Sequence, residues 1–174
     1  MKIFVNLCFL TLFFGVFTLE NSGASNVGKR YPSEKHTILD RVTGRPITVL
    51  TSSTFNNSKL YQTHESWTAD GKWIIFCSNR GDNGTQLFVV NELTGDIVQL
   101  TDNPGIIGRG INLSHKEMKV FYMRGERKAN GISNFQVVEL NIGRLIDDSM
   151  TDQLKDPSVR YFLALTFLSS HFKS

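Results

Sequence analysis

Short apolar runs separated by turn residues dominate the chain after residue 60, and almost no segment shows helical periodicity. The apolar run 73–77 follows an Asp-Gly pair at 70–71, a strong hairpin signal because type I′ turns need positive φ. Two further runs, 86–91 and 97–100, follow with a Gly-containing turn between them. The pattern predicts a four-stranded antiparallel meander over about residues 62–101, with its innermost strand at the start.

This meander recurs along the chain. The run 73–76 has a counterpart at 119–122, and the turn residue Gly95 has a counterpart in Gly143. Residues 36–51 resemble only the outer hairpin of such a unit. Four-stranded sheets repeating about every 40–50 residues are typical of β-propellers, and closed rings have roughly four to eight of them. We therefore predict an all-β fold: an incomplete β-propeller with about two four-stranded antiparallel blades plus an N-terminal outer hairpin.

The strand pattern fails after Ile146. The divergent tail that follows could form a strand, a short helix or no regular element, and such an end is typical of a truncated gene product. A genuine small protein whose tail covers the open blade face is the alternative. The predicted boundaries are 1–25 for a leader, 26–58 for a partial-blade segment, 59–104 and 105–147 for two blades, and 148–174 for the tail.

The first residues have the pattern of a secretory signal. Lys2 precedes the apolar run 3–19, and the residues turn small at 22–25. A membrane anchor is the alternative, since the run lies at the short end of the about 17–25 residues that span a bilayer. We predict export, with a periplasmic or extracellular location after the signal is removed.

Charge and cysteine content narrow the partners. The net charge is only +3, and no basic stripe exists that could neutralise several phosphates, so nucleic acid is not predicted as a partner. Beyond the leader the chain has a single cysteine, Cys77. No disulfide can therefore form within the mature chain, and stability must come from apolar burial.

The blade sequence resembles a known repeat. Residues 67–76, Trp-Thr-Ala-Asp-Gly-Lys-Trp-Ile-Ile-Phe, followed by Ser-Asn-Arg at 78–80, resemble the repeat of TolB-type propellers. There a Ser-Pro-Asp-Gly-Lys turn leads into a hydrophobic strand that ends in Ser-Asn-Arg. The second copy, at 113–117, keeps the serine but lacks the Asp-Gly pair.

A narrower resemblance covers about residues 29–146. The segments 28–34, 40–50 and 61–64 resemble the opening of oligogalacturonate lyase, a seven-bladed propeller that cleaves pectin fragments by β-elimination. The resemblance implies Mn²⁺ or another divalent metal held by histidines, with a catalytic histidine and arginine in later blades. No position here matches those residues, so no catalytic residue, no metal ligand and no cofactor are predicted in this chain.

Four residues are predicted to bind substrate: Tyr61, His64, Arg80 and Arg109. His64 is expected at the start of an innermost strand, facing the channel, where it could meet a carboxylated sugar. A backbone hydrogen bond is the alternative role for His64. Arg80 and Arg109 could fork a uronate carboxylate, or act as solvated loop charges or partners of Asp82 or Asp102. Trp67 and Trp73 are expected between blades, and stacking on sugar faces is their alternative role.

Three functional hypotheses follow. The first is an exported fragment of an oligogalacturonate-lyase-like propeller, with oligogalacturonides or another acidic oligosaccharide as ligands. The second is a TolB-like propeller that binds proteins, and the third is a truncated, non-functional remnant. Exposed sheet edges invite strand addition, so we also expect self-association through open blade edges. The sequence leaves open whether the chain alone is an enzyme.

Overall fold

The computed structural model describes residues 25–52, 54–129 and 131–166. The predicted leader, apart from Ser25, and residues 167–174 lie outside the described residues. Within the described ranges, no helix has the length and apolar character needed to cross a membrane. The strands are β1 Arg30–Tyr31, β2 His36–Leu39, β3 Pro46–Val49, β4 Asn57–Lys59, β5 Trp73–Ser78, β6 Gln86–Asn91, β7 Ile97–Gln99, β8 Ile106–Leu113, β9 Lys119–Lys128, β10 Gly131–Asn141 and β11 Phe162–Thr166. The helices are α1 Ile142–Met150 and α2 Pro157–Arg160.

The first sheet contains the predicted meander. Its order is β1-β7-β6-β5-β4, and all neighbours are antiparallel. The expectation of an innermost strand near residue 62 is wrong, because β4 at Asn57–Lys59 pairs with β5 instead. The chain then turns, and only an isolated bridge between Trp67 and Ile74 continues the pairing.

The N-terminal segment adds two features to this sheet. β1 pairs with β7 at the opposite edge from β4, so the sheet has five strands rather than four. The expected outer hairpin forms as β2 and β3, with His36 opposite Val49 and Leu39 opposite Pro46. That hairpin is a two-stranded sheet of its own, and its residues are mostly exposed.

The second sheet has the order β11-β10-β9-β8. The prediction that 105–147 contains a whole four-stranded blade is wrong, because α1 begins directly after β10. Ile142, Leu145 and Ile146 recur at helical spacing and are buried, and the side chain of Asn141 caps the helix by accepting from the backbone N–H of Arg144. The fourth strand is β11, from the segment predicted as a divergent tail.

The main core lies between the two larger sheets. Alternate residues of β5, β6, β9 and β10 point into it, because successive side chains of a strand face opposite sides. Its largest members include Ile75, Leu87, Tyr122 and Leu140, all fully buried. Trp73 is buried there as expected, whereas Trp67 is exposed, contrary to expectation. The fold is thus mostly β and made of antiparallel sheets.

Candidate functional site

Tyr61 and His64 lie close together in the loop that follows β4. Their rings meet edge to face, with centroids 5.7 Å apart. His64 lies in this loop and not on an innermost strand, contrary to the expectation from the sequence. Its Nδ1 lies 2.9 Å from the backbone carbonyl oxygen of Ile111. Because a carbonyl oxygen only accepts hydrogen bonds, Nδ1 is the protonated nitrogen in this contact, and the alternative backbone role of His64 is the one observed.

A shallow pocket of about 440 Å³ adjoins Tyr61. Its lining residues are Ser58, Lys59, Leu60, Tyr61, Gln62, Cys77 and Thr85. Tyr61 is 48% exposed, and the exposed Lys59 lines the same pocket. Burial raises the pKa of the Cys77 thiol, so this thiol stays protonated and unreactive at neutral pH.

Arg80 is placed very differently from the expectation of a solvated loop charge. Its side chain is fully buried, and its guanidinium donates to both carboxylate oxygens of Glu34 at 3.1 and 3.3 Å. It also donates to Asn57 and Ser78. Three phenylalanine rings lie 5.1–5.5 Å from the guanidinium carbon: Phe55, Phe76 and Phe88.

The expected pairing of Arg80 with Asp82 or Asp102 is therefore wrong, and Glu34, far upstream in sequence, is the partner. A carboxylated ligand would have to compete with Glu34 for this guanidinium. Arg109 lies in β8, between Ile107 and Asn112, where the register with β9 shifts. The substrate-binding roles of Tyr61, His64, Arg80 and Arg109 stay predictions.

A larger groove, about 720 Å³, lies where β9 and β10 meet the loop after β7. We call it the Arg124 groove, and its lining residues are Asn103, Pro104, Gly105, Arg124, Gly125, Glu126, Asn134 and Gln136. Arg124 is half-buried, and its Nε donates to Oε1 of Gln136 at 2.5 Å. A guanidinium held this way, among side-chain amides, suits a carboxylate ligand.

An irregularity in the second sheet shapes this groove. The β9–β10 register shifts between Ser133 and Gln136, and Asn134 within the shift has a φ of 51°. Gly125 allows the close approach, since a side chain there would collide with Ile132. A glycine in a strand often marks a bulge, and Gly125 in β9 is the sequence signal that could have indicated this one.

The groove also contains an acidic group. Asn134 donates to the Glu126 carboxylate at 2.9 Å, and Lys128 lies 3.5 Å from it. The hydrogen bond from Asn134, followed by the Lys128 charge, lowers the pKa of Glu126. Glu126 is thus ionised at neutral pH, so the groove carries a carboxylate as well as the Arg124 guanidinium.

Comparison with known proteins gives a fold likeness. No protein-family model matches the chain, and no curated protein matches it. The solved structures that match include an oligogalacturonate lyase in complex with manganese and an oligogalacturonate lyase from Vibrio parahaemolyticus. Each match has a TM-score of 0.57 and 24% identity, and covers 68% of this chain and 29% of the solved chain. In fold, this chain resembles part of an oligogalacturonate lyase.

The chain spans less than a third of the length of these solved structures. The resemblance inferred from the sequence is therefore confirmed at the level of the fold. One of the two lyases binds manganese. Among the residues described here, no group of three or more His, Cys, Asp or Glu side chains could hold a metal ion. This part of the chain does not fit a metal centre.

Proposed function

We propose that this chain is part of an exported, oligogalacturonate-lyase-like β-propeller, and that it binds an acidic oligosaccharide in the Arg124 groove. The fold likeness to two oligogalacturonate lyases carries the proposal. Under this proposal, the two larger sheets are propeller blades, and this chain supplies a binding surface rather than the reacting groups.

The chemistry of the groove supports this ligand class. Oligogalacturonides present one carboxylate per sugar and many hydroxyls. Arg124 offers a guanidinium whose Nε is held by Gln136, and Asn103 and Asn134 add amides along the same groove. Charge-assisted hydrogen bonds to a carboxylate are about twice as strong as neutral ones, so Arg124 should dominate affinity.

In a complete lyase of this kind, a base removes the proton α to the uronate carboxylate while the glycosidic oxygen leaves, and a carbon–carbon double bond forms. The described residues of this chain bring together no set of groups for that step. We therefore expect binding without cleavage from this chain alone.

Binding is tested by titrating the purified chain with oligogalacturonides in a calorimeter. Arg124→Gln should weaken binding about 10–100-fold, the equivalent of a charged hydrogen bond of about 1.5–3 kcal/mol. Lys72→Gln removes an exposed cation from the turn that precedes β5. This variant is the matched control and should bind like the wild type. Tyr61→Ala tests the second pocket. An unchanged affinity in Arg124→Gln with a loss in Tyr61→Ala would move the site to Tyr61.

Cleavage is tested in parallel by following the absorbance of the unsaturated product near ~235 nm, with Mn²⁺ added. We expect no absorbance rise. An absorbance rise that depends on the chain would contradict the assignment of this region to binding alone.

A second candidate function, a binding module that associates with a second copy of the chain, is favoured by the outer face of the second sheet. Ile107, Met123, Val137 and Leu165 are cross-strand neighbours in one row across that face. Leu165 and Leu163, both on β11, are each 60% exposed. Repeat sheets with such faces are normally covered by a neighbouring sheet.

Light scattering after size exclusion tests this association. We expect a mass that rises with concentration, and a monomer mass for the variant with Leu163→Thr and Leu165→Thr. Leu93→Thr, at an exposed turn residue away from this face, is the control. A concentration-independent monomer for the wild type would contradict the candidate.

A further inference from the structure

The first residues of the described chain are anchored by carboxylates. The backbone N–H of Asn26 donates to Oδ2 of Asp102 at 2.7 Å. Its side-chain amide donates to Oδ2 of Asp82 at 3.1 Å. Val27, the next residue, is buried, whereas Ser25 is exposed. Among the described residues, burial therefore sets in at Asn26 and Val27.

The residues that follow Asn26 are held on two sides, which fixes its position. The backbone N–H of Gly28 donates to the Gln99 carbonyl at 2.8 Å, and the Gln99 N–H donates to the Lys29 carbonyl at 2.9 Å. The Ser149 hydroxyl donates to the Gly28 carbonyl at 2.7 Å from the other side. Gly28 has a φ of 82°, and a side chain there would collide with Leu154. The nitrogen of Asn26 is thus held at the Asp102 carboxylate.

Within the described part of the chain, the donors that reach the Asp102 carboxylate are neutral. Its Oδ1 accepts from Asn83 at 3.0 Å and from Gln99 at 3.4 Å. The ion pairs formed among the described residues do not include Asp102 or Asp82. Two carboxylates thus contact Asn26: Asp102 at the backbone nitrogen and Asp82 at the side-chain amide. Neither carboxylate is paired with a cationic side chain among the described residues.

We propose that the Ser25–Asn26 peptide bond is the processing site of the leader, and that the α-ammonium created on Asn26 binds Asp102, with Asp82 nearby. A peptidase of the export pathway adds water across this bond, so Ser25 leaves as a carboxylate and the Asn26 nitrogen becomes an amine. An α-amine has a pKa of about 7.7–8.0 and takes up a proton at neutral pH.

Cleavage at this bond changes the contact from a neutral hydrogen bond to an ion pair. The small residues Gly23 and Ser25 stand three and one positions before the bond, as export peptidases require. The charge-assisted bond is stronger than the amide contact it replaces. Processing and the final stability of the fold are thereby coupled, independently of what the protein binds.

The first test identifies the new terminus. The full chain is produced in an exporting host, and the secreted product is analysed by intact mass and N-terminal sequencing. We expect Asn26 as the first residue. A product that begins elsewhere, or one that retains the leader, would overturn the assignment.

The second test measures the ammonium contact. The product that begins at Asn26 is compared with a chain that starts one residue earlier, with Ser25→Met and no leader. The shorter chain should melt about 2–4 °C higher. Asp102→Asn should abolish this difference, and Glu92→Gln, which removes an exposed carboxylate elsewhere, should preserve it. If Asp102→Asn does not fold, Asp82→Asn should reduce the difference. Equal melting temperatures, or a difference that persists in Asp102→Asn and Asp82→Asn, would overturn the proposal.

Discussion

The two larger sheets share a strand pattern but differ in how their faces are covered. One face of each lies in the common core. The opposite face of the first sheet is also buried, with Phe88 and Ile97 fully inaccessible beneath Tyr31 and Leu50. The opposite face of the second sheet is not, since the leucines of β11 remain largely exposed.

The difference originates outside the repeat. The N-terminal segment supplies Tyr31, whose ring meets Phe88 edge to face at 5.7 Å, and Glu34, which neutralises the buried Arg80. No equivalent segment covers the second sheet within the described residues. The repeat pattern specifies the strands, whereas the flanking sequence determines which sheet has its outer face buried.

Truncating a large side chain on each outer face tests this contrast most strongly. Phe88→Ala should cost about 3–5 kcal/mol of unfolding free energy, because it opens a cavity in a closed face. Leu163→Ala should cost less than about 1 kcal/mol, since its side chain is already mostly in water. Urea unfolding measures both. Similar losses in the two variants would mean that the second face is also covered in solution.

Removing the partner of Arg80 is expected to have the next largest effect. Glu34→Ala leaves the guanidinium buried without its counter-charge, which should cost about 3 kcal/mol. Glu92→Ala, at an exposed turn residue, is the control and should change the unfolding free energy by less than about 0.5 kcal/mol. An equally small change in Glu34→Ala would contradict the role of this ion pair in closing the first sheet.

A substitution of Tyr122, which lies in the core shared by both sheets, is expected to raise the unfolding free energy rather than lower it. Its hydroxyl is buried and has no hydrogen-bond partner among the described residues, and burial raises its pKa to about 12. An unsatisfied buried polar group costs about 1–3 kcal/mol, so Tyr122→Phe should stabilise the protein by about 1 kcal/mol in urea unfolding. A clear destabilisation would indicate that the hydroxyl has a partner in solution.

The smallest expected effect is a pH dependence of the unfolding free energy that originates at Asp148 in α1. Hydrogen bonds from Arg160, opposed by burial and assisted by Tyr161, lower the pKa of Asp148. A carboxylate with a lowered folded-state pKa stabilises the fold above its ordinary pKa of 3.8, and this stabilisation is lost as the pH falls through the folded-state value.

Wild type should therefore be more stable than Asp148→Asn at pH 6, and the gap should narrow below pH 4. Urea midpoints at the two pH values measure it. A gap independent of pH would show that charge plays no part in the contacts of Asp148.

Local sequence signals predicted β5, β6, β7 and the first part of β9, because alternation and turn residues act over short distances. They failed at α1, where Gly143 was interpreted as a turn by analogy with Gly95. The signal for a helix was nevertheless there, in the Asn141 cap and the spacing of Leu145 and Ile146. The local helix pattern was therefore correct, and the analogy between Gly143 and Gly95 was not.

The candidate site was less predictable, because its contacts join distant positions. The pairing of Arg80 with Glu34 spans 46 residues, and no local pattern indicates it. The Arg124 groove depends on a register shift in β9 and β10, a feature that strand periodicity does not encode. Only Gly125 signals it in the sequence.

The contacts of Gly28 and Arg30 have a consequence for folding kinetics. Ser149 and Asp152 reach these residues across sequence separations of 121 and 122 residues. Closing so long a loop is slow compared with forming a hairpin. In a growing chain, β1 can therefore pair with β7 well before it gains the contacts from Ser149 and Asp152, which form only after the helix that follows β10 has been made.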